Sequence, residues 1–220
     1  MAMVTFDLFS ALIDSRTGGS AVFDRLAAGH GWDVAGTELY DDWDARNKAS
    51  QKELTDWVPF AEHCRRALAG TYAARGLEAD ATADTLALLA SLPDWPLWPD
   101  VGRALPLVAE QHRVGVLSNV DDDLFARTRA AGLVHPDAVL TSERLHAYKP
   151  HPEIYRRAAE AGAAVHVPAS ARDTRGALEA GLTVVRVRRP GHRVDPDGPQ
   201  PQHEVTDLLE LPTVLDALTG

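Results

Sequence analysis

The strongest constraint on this chain is a change of rhythm along it. One short apolar run, Val4-Thr5-Phe6-Asp7-Leu8-Phe9, reads as a strand. The next strand-like run, Val114-Gly115-Val116-Leu117-Ser118, comes far downstream, and most of what lies between is patterned as helix. Leu39, Trp43 and Asn47 recur every fourth residue, as do Phe60, Cys64, Leu68 and Tyr72. Ser20 is placed to cap a helix with Phe23, Leu26 and Ala27 on one face, and a further helix is expected over 81–92. Residues 14–20 are turn formers and read as a loop, with Gly18-Gly19 as a hinge. Pro93, Pro96 and Pro99 forbid a continuous helix at the far end of the stretch.

After that break, strands and helices alternate. Asp100 is expected to cap a helix with Val101, Ala104, Leu105 and Val108 on one face. Further helices are expected over 124–131, from Pro152 to Gly162, over 174–180, and over 205–218 with a break at Pro212. Strands are expected at 114–118, 138–141, 165–167 and 184–187, and a surface loop at 190–201. Such alternation implies βαβ units and a parallel sheet. The expectation is therefore an α/β protein. A Rossmann-like parallel-sheet core over 1–13 and 96–220 is interrupted by a helical bundle over 14–95.

Charge and cysteine content narrow the function classes. The 22 basic residues face 32 acidic ones, a net charge of −10, and no basic stripe exists for nucleic acid. No window approaches the ~20 apolar residues of a membrane helix. The start, Met1 to Asp7, lacks the basic region of a signal peptide. Cys64 is the only cysteine, which excludes an intramolecular disulfide and a CxxC site. A cytoplasmic enzyme is the expectation. The nine histidines never form HExxH or HxH, and most read as ordinary surface or helix residues. Trp57, Trp95 and Trp98 are expected to pack the insert on the core, and Asp121-Asp122-Asp123 to cap the helix that follows.

In an open parallel sheet, ligands bind beyond the carboxyl ends of the strands. The first strand brings Asp7 there, the second Ser118 and Asn119, the third a loop holding Lys149, and the fourth Ser170 and Asp173. Any one of these alone is an ordinary turn or cap residue. Together they place two acids, a lysine, two hydroxyls and an amide on one edge.

Phe6-Asp7-Leu8-Phe9, Val116-Leu117-Ser118-Asn119, Tyr148-Lys149-Pro150, and Asp173 followed by Gly176-Ala177 and Ala180-Gly181 resemble the four motifs of the haloacid dehalogenase superfamily, in order. The helical insert resembles its cap. Metal-dependent phosphatases of that superfamily carry acids where this chain has Phe9 and Pro168. Neither residue offers the hard side-chain oxygen that Mg²⁺ requires. The chain is more similar to the metal-independent L-2-haloacid dehalogenase branch, with an aromatic residue at 9, the Ser-Asn and Tyr-Lys-Pro motifs, and Tyr155 six residues after Lys149.

What that resemblance implies is covalent hydrolysis without metal or cofactor. Asp7 would attack the carbon bearing the halogen, with Lys149 as its cationic partner. Arg46 and Asn119 would stabilise the departing halide, and Ser118 would help to hold the carboxylate of a small organic acid. Phe9, Tyr155 and Ser170 would line the pocket. Asp173 would orient the hydrolytic water, or pair with Lys149. Leu39, Trp43, Arg46 and Ser50 fall within about 60° on a helical wheel, which sets Arg46 on the face expected to be buried. The resemblance allows a homodimer.

The chain also departs from that branch. Tyr, Gly and Thr are usual where it has Phe9, Ser10 and Ala11, so a hydroxyl that steadies the nucleophile is missing at 11. Ser170 stands in place of a common asparagine, and Arg172 in place of an aromatic that lines the halide pocket. The alternatives are an Mg²⁺-dependent phosphatase of the same superfamily and a small-acid-binding protein that has lost turnover.

Overall fold

Six parallel strands form one sheet in the order β3-β2-β1-β4-β5-β6. They are β1 (Met3–Phe6), β2 (Arg113–Ser118), β3 (Val139–Thr141), β4 (Ala163–Val167), β5 (Thr183–Val187) and β6 (His203–Val205). The computed structural model describes residues 1–52 and 57–219. Residues 53–56 and 220, inside the ranges expected for the insert and the core, lie outside the described residues. All of β1 and nearly all of β2 are buried, as a sheet covered on both faces demands. The order reverses between β1 and β4, so β1 ends at the crevice where such sheets take ligands. Phe6 stands opposite Val116 on one side and Val167 on the other.

Between β1 and β2 come α1 (Ser15–His30), α2 (Gly36–Ser50), α3 (Phe60–Arg75), α4 (Ala81–Ala90) and α5 (Val101–Ala109). The later helices are α6 (Asp122–Ala126), α7 (Ser142–Leu145), α8 (Pro152–Glu160), α9 (Ala171–Glu179) and α10 (Leu211–Thr219). Trp43 is the pivot of the first helices. Its ring meets Phe23 at 5.9 Å and Tyr40 at 5.7 Å, and its indole N–H donates to the Cys64 carbonyl. Entry to and exit from the helical unit run side by side through an antiparallel bridge between Ile13 and Leu97. No helix among the described residues is long and apolar enough to cross a membrane.

Several local expectations give way to tertiary contacts. The first strand stops at Phe6, and Leu8–Leu12 forms a wide helical turn closed by Ile13 N–H to the Leu8 carbonyl at 2.9 Å. Residues 15–20 are neither loop nor hinge: α1 begins at Ser15, and Asp14 rather than Ser20 caps it. Asp100 does not cap α5; its carboxylate takes Arg189 and the Leu208 N–H instead. Asp121 reaches across to accept from Phe60 N–H at 2.7 Å and Ala61 N–H at 3.0 Å, so it fastens α3 to the sheet instead of capping α6. The helix expected over 124–131 ends at Ala126. The stretch expected as helix from 205 begins as the end of β6, and Pro212 sits in the first turn of α10.

Gly18 and Gly19 are in α1 because larger residues would collide there. A Cβ on Gly19 would lie 2.4 Å from the Tyr40 ring, and one on Gly18 2.5 Å from Trp95. The Tyr40 hydroxyl is held by Ser15, so the ring is fixed at its far end. In an exposed helix, Gly→Ala stabilises by about 1 kcal/mol. Here Gly19→Ala is expected to destabilise by roughly 1–3 kcal/mol, the cost of overpacking. Urea unfolding of the variant checks the sign.

Candidate active site

Asp7 follows β1 directly and is held from two sides. Its Oδ2 accepts the Ser10 N–H at 2.9 Å and the Ser10 hydroxyl at 2.5 Å. The turn over Leu8–Leu12 is what folds Ser10 back onto the carboxylate. The steadying hydroxyl missing at Ala11 is thus supplied by the neighbouring residue. The Oδ1 oxygen accepts Lys149 Nζ at 2.7 Å and the Ser118 hydroxyl at 3.4 Å.

Lys149 is 3% exposed and spends its ammonium on three oxygens. They are Asp7 Oδ1, the Leu117 carbonyl at 2.8 Å and Asp173 Oδ2 at 2.5 Å. Asn119 fixes the lysine's backbone: its Oδ1 accepts Lys149 N–H at 2.8 Å, and its Nδ2 donates to the Lys149 carbonyl at 3.0 Å. The second Nδ2 hydrogen goes to Gln51 Oε1 at 2.8 Å. Asn119 therefore has its side-chain donors committed to protein oxygens.

Asp173 lies in the first turn of α9, which Ser170 caps. Its Oδ1 accepts the Tyr155 hydroxyl at 2.8 Å, and its Oδ2 takes both Lys149 and His166 Nε2, the latter at 3.1 Å. Because a carboxylate only accepts, that imidazole nitrogen carries a hydrogen. Burial alone would raise the Asp173 carboxyl, but the charges of Lys149 and His166 overcome it and hold it well below the usual range.

A cavity of about 330 Å³ opens over these groups, with Asp7, Phe9, Ser118, Asn119, Lys149, Ser170 and Asp173 among its lining residues. Phe9 stacks on Phe60 at 5.8 Å and meets Trp95 edge-on at 6.0 Å. Two expected lining residues are elsewhere. Tyr155 is fully buried behind Asp173, out of the cavity, and serves as its hydrogen-bond donor. Arg46 also lies outside the cavity; it pairs with Asp42 at 3.2 Å, and its side chain is 40% exposed. Two other guanidiniums line the cavity: Arg16, which pairs with Asp41 at 2.7 Å, and Arg172, which donates to the Lys48 carbonyl at 2.9 Å and to Gln51 Oε1 at 3.1 Å. Burial pulls Arg172 below its ordinary pKa, against the pull of nearby carboxylates.

Sequence reasoning missed three parts of this arrangement. His166, read only as part of a strand, is fully buried on β4 beside Asp173 and also pairs with the Thr5 hydroxyl at 3.0 Å. A polar ring inside an otherwise apolar strand was the available signal. Gln51 joins Asn119 to Arg172, and Ser10 grips Asp7. Neither carries a signal in the sequence, because each acts through a contact made only on folding.

The donor set does not suit a divalent metal. Phe9 and Pro168 have no side-chain oxygen, the Phe9 carbonyl accepts the Ser15 hydroxyl, and an ammonium already occupies Asp7 Oδ1. No group of three or more His, Cys, Asp or Glu suited to a metal occurs among the described residues.

Comparison with known proteins follows the same line. The family model of haloacid dehalogenase-like hydrolases matches residues 1–167. A curated relative, (S)-2-haloacid dehalogenase 4A of Burkholderia cepacia, is 29% identical over 132 residues, which cover 56% of this chain and 57% of the relative. The chain thus spans little more than half of that relative's length. Among solved structures, a defluorinating L-2-haloacid dehalogenase superposes with a TM-score of 0.84 at 24% identity, covering 98% of this chain and 95% of the other. The L-2-haloacid dehalogenase of Xanthobacter autotrophicus, with chloropropionic acid covalently bound, superposes at 0.83 with 21% identity and full coverage of both chains. At these identities the structural likeness establishes the fold.

Proposed function

The chain belongs to the haloacid dehalogenase-like hydrolase family, and from that premise we propose that it hydrolyses the carbon–halogen bond of a 2-halo acid through a covalent Asp7 ester, without a metal. Asp7 attacks C2, and the halide leaves with the bonding electrons. Water then adds to the ester carbon of Asp7. The 2-hydroxy acid departs, Asp7 is restored as a carboxylate, and one proton is released to solvent. The Xanthobacter structure, with chloropropionic acid covalently bound, is the precedent for a covalently held substrate acid on this fold.

The single observation that carries this reading is the Lys149 ammonium, 2.7 Å from Asp7 and shared with Asp173. It sets a fixed positive charge beside the nucleophile. Ser118 reaches the same oxygen and Ser10 holds the other, so the carboxylate is oriented before substrate arrives. With Asp173 engaged by Tyr155, Lys149 and His166, pairing with Lys149 is the role the geometry favours for it over activation of water. Family likeness further suggests a cytoplasmic location and a homodimer, which cell fractionation and light scattering would test.

The decisive assay measures halide release from 2-halo acids, from 2-chloropropionate to 2-bromohexanoate, with EDTA present. It runs beside p-nitrophenyl phosphate with Mg²⁺. Halide release indifferent to the chelator is expected. Phosphate release that needs metal, with no halide release, would overturn the reading.

A further inference from the structure

Arg172 is the group in the cavity that neither stability nor the reaction above explains. It is the second residue of α9, where the peptide dipoles already present positive charge and a cation is disfavoured. It is mostly withdrawn from water, yet its hydrogen bonds go to neutral oxygens, those of Lys48 and Gln51. The buried arginines elsewhere each hold a carboxylate: Arg186 has Glu204, and Arg189 has Asp100. Asp173, Asp44 and Asp7 act on this cation through space, but among the described residues no carboxylate hydrogen-bonds to it, so its guanidinium has no paired anion of the kind that offsets the cost of burying a charge. It adjoins Asp173, which shares Lys149 with Asp7, so an anion on Arg172 would sit beside the nucleophile's own ion pair.

The size of the cavity is the second observation. A volume of about 330 Å³ falls within the ~300–1,000 Å³ range of sites that enclose drug-sized ligands. A molecule such as 2-chloropropionate, with about six non-hydrogen atoms, would leave much of it wet. Part of the wall is apolar: Phe9, Phe60, Leu89, Leu92 and Trp95. A wall of that kind rewards a substituent that a two- or three-carbon acid does not have.

Resting on the reaction proposed above, we propose that the substrate is a 2-halo acid with a long apolar substituent on C2, its carboxylate held by Arg172 and its substituent laid against Phe9, Phe60, Leu89 and Trp95. Arg172 replaces Arg46 as the anion-binding arginine, and it works from the sheet side of the cavity.

Binding of unhalogenated acids tests this without turnover. Each further buried methylene multiplies affinity about fourfold. Hexanoate, three methylenes longer than propionate, is expected by calorimetry to bind at least tenfold more tightly. Arg172→Gln is expected to weaken hexanoate tenfold or more, and Leu89→Trp to erase its advantage while sparing propionate. Thermal unfolding of both variants shows that they are folded. In turnover, 2-bromohexanoate should exceed 2-bromopropionate at least tenfold in kcat/KM. Equal binding of the two acids would overturn the proposal. So would an Arg172→Gln variant that binds hexanoate normally but is no longer inhibited by bromide, since Arg172 would then be a halide site. Tight, Arg172-dependent hexanoate binding with no halide release from any 2-halo acid would uphold the acid pocket and overturn the proposed reaction.

Discussion

Asp7→Asn is expected to lower halide release by about 10⁴-fold or more, the scale on which loss of a covalent nucleophile acts. An amide cannot displace a halide, but asparagine keeps the shape of the residue and an oxygen for the Ser10 N–H and hydroxyl. Lys149 keeps Asp173 and the Leu117 carbonyl, so no buried ammonium is stranded. The variant should therefore fold, and its circular dichroism should overlay the parent's. The parent, in excess over substrate in ¹⁸O-labelled water, provides the matching result. In a first turnover the product's new hydroxyl oxygen comes from Asp7, and the label stays on the protein. Label in the first-turnover product, or an Asp7→Asn variant with more than a hundredth of parental activity, would end the covalent reading.

The parts of this molecule that could be read from the chain are those set by local pattern. Parallel strands buried on both faces favour apolar runs, and β2, β4 and β5 announce themselves that way although His166 interrupts β4 and Arg186 interrupts β5. The convergence of Asp7, Ser118, Lys149 and Asp173 follows from strand order alone, since each comes after the carboxyl end of a strand. What could not be read depends on which neighbour a residue meets. Gly18-Gly19 has the composition of a hinge, and only the Tyr40 and Trp95 rings make it a packing seam.

Arg46 shows the limit of a helical wheel. Its small angle to Leu39 and Trp43 is real, but the buried arc also includes Tyr40 and Asn47 and is centred further round. At 100° per residue, the cavity-lining set of Tyr40, Asp41, Trp43, Asp44, Asn47, Lys48 and Gln51 centres about 120° from Leu39. Arg46 stands about 140° away from that centre, on the side where Asp42 receives it. A wheel says which residues share a face. It does not say which of two buried faces looks at the substrate.

Lys149→Met carries the largest expected cost to the fold itself. Methionine matches the length of the lysine stem but leaves Asp7 and Asp173 without the charge they share. Breaking a buried pair by removing one partner costs about 3–5 kcal/mol, because the remaining charge stays out of water. Here two carboxylates lose their cation, so the upper part of that range is expected. The pH dependence follows from Asp173. In the parent its carboxyl is held low, so it contributes stability above the ordinary carboxylate pKa, and that stability is lost only as pH falls through the depressed value. Without Lys149, burial is opposed by His166 alone among the charges, so the folded carboxyl moves up from its depressed value. Its contribution above the ordinary carboxylate range shrinks accordingly, while in strong acid, below both folded values, parent and variant lose it alike. Urea unfolding at pH 3 and pH 8 should therefore find the gap between parent and variant wider at pH 8. A gap independent of pH would mean that the lysine is not what holds Asp173 charged, and the shared ammonium would lose its place at the centre of the site.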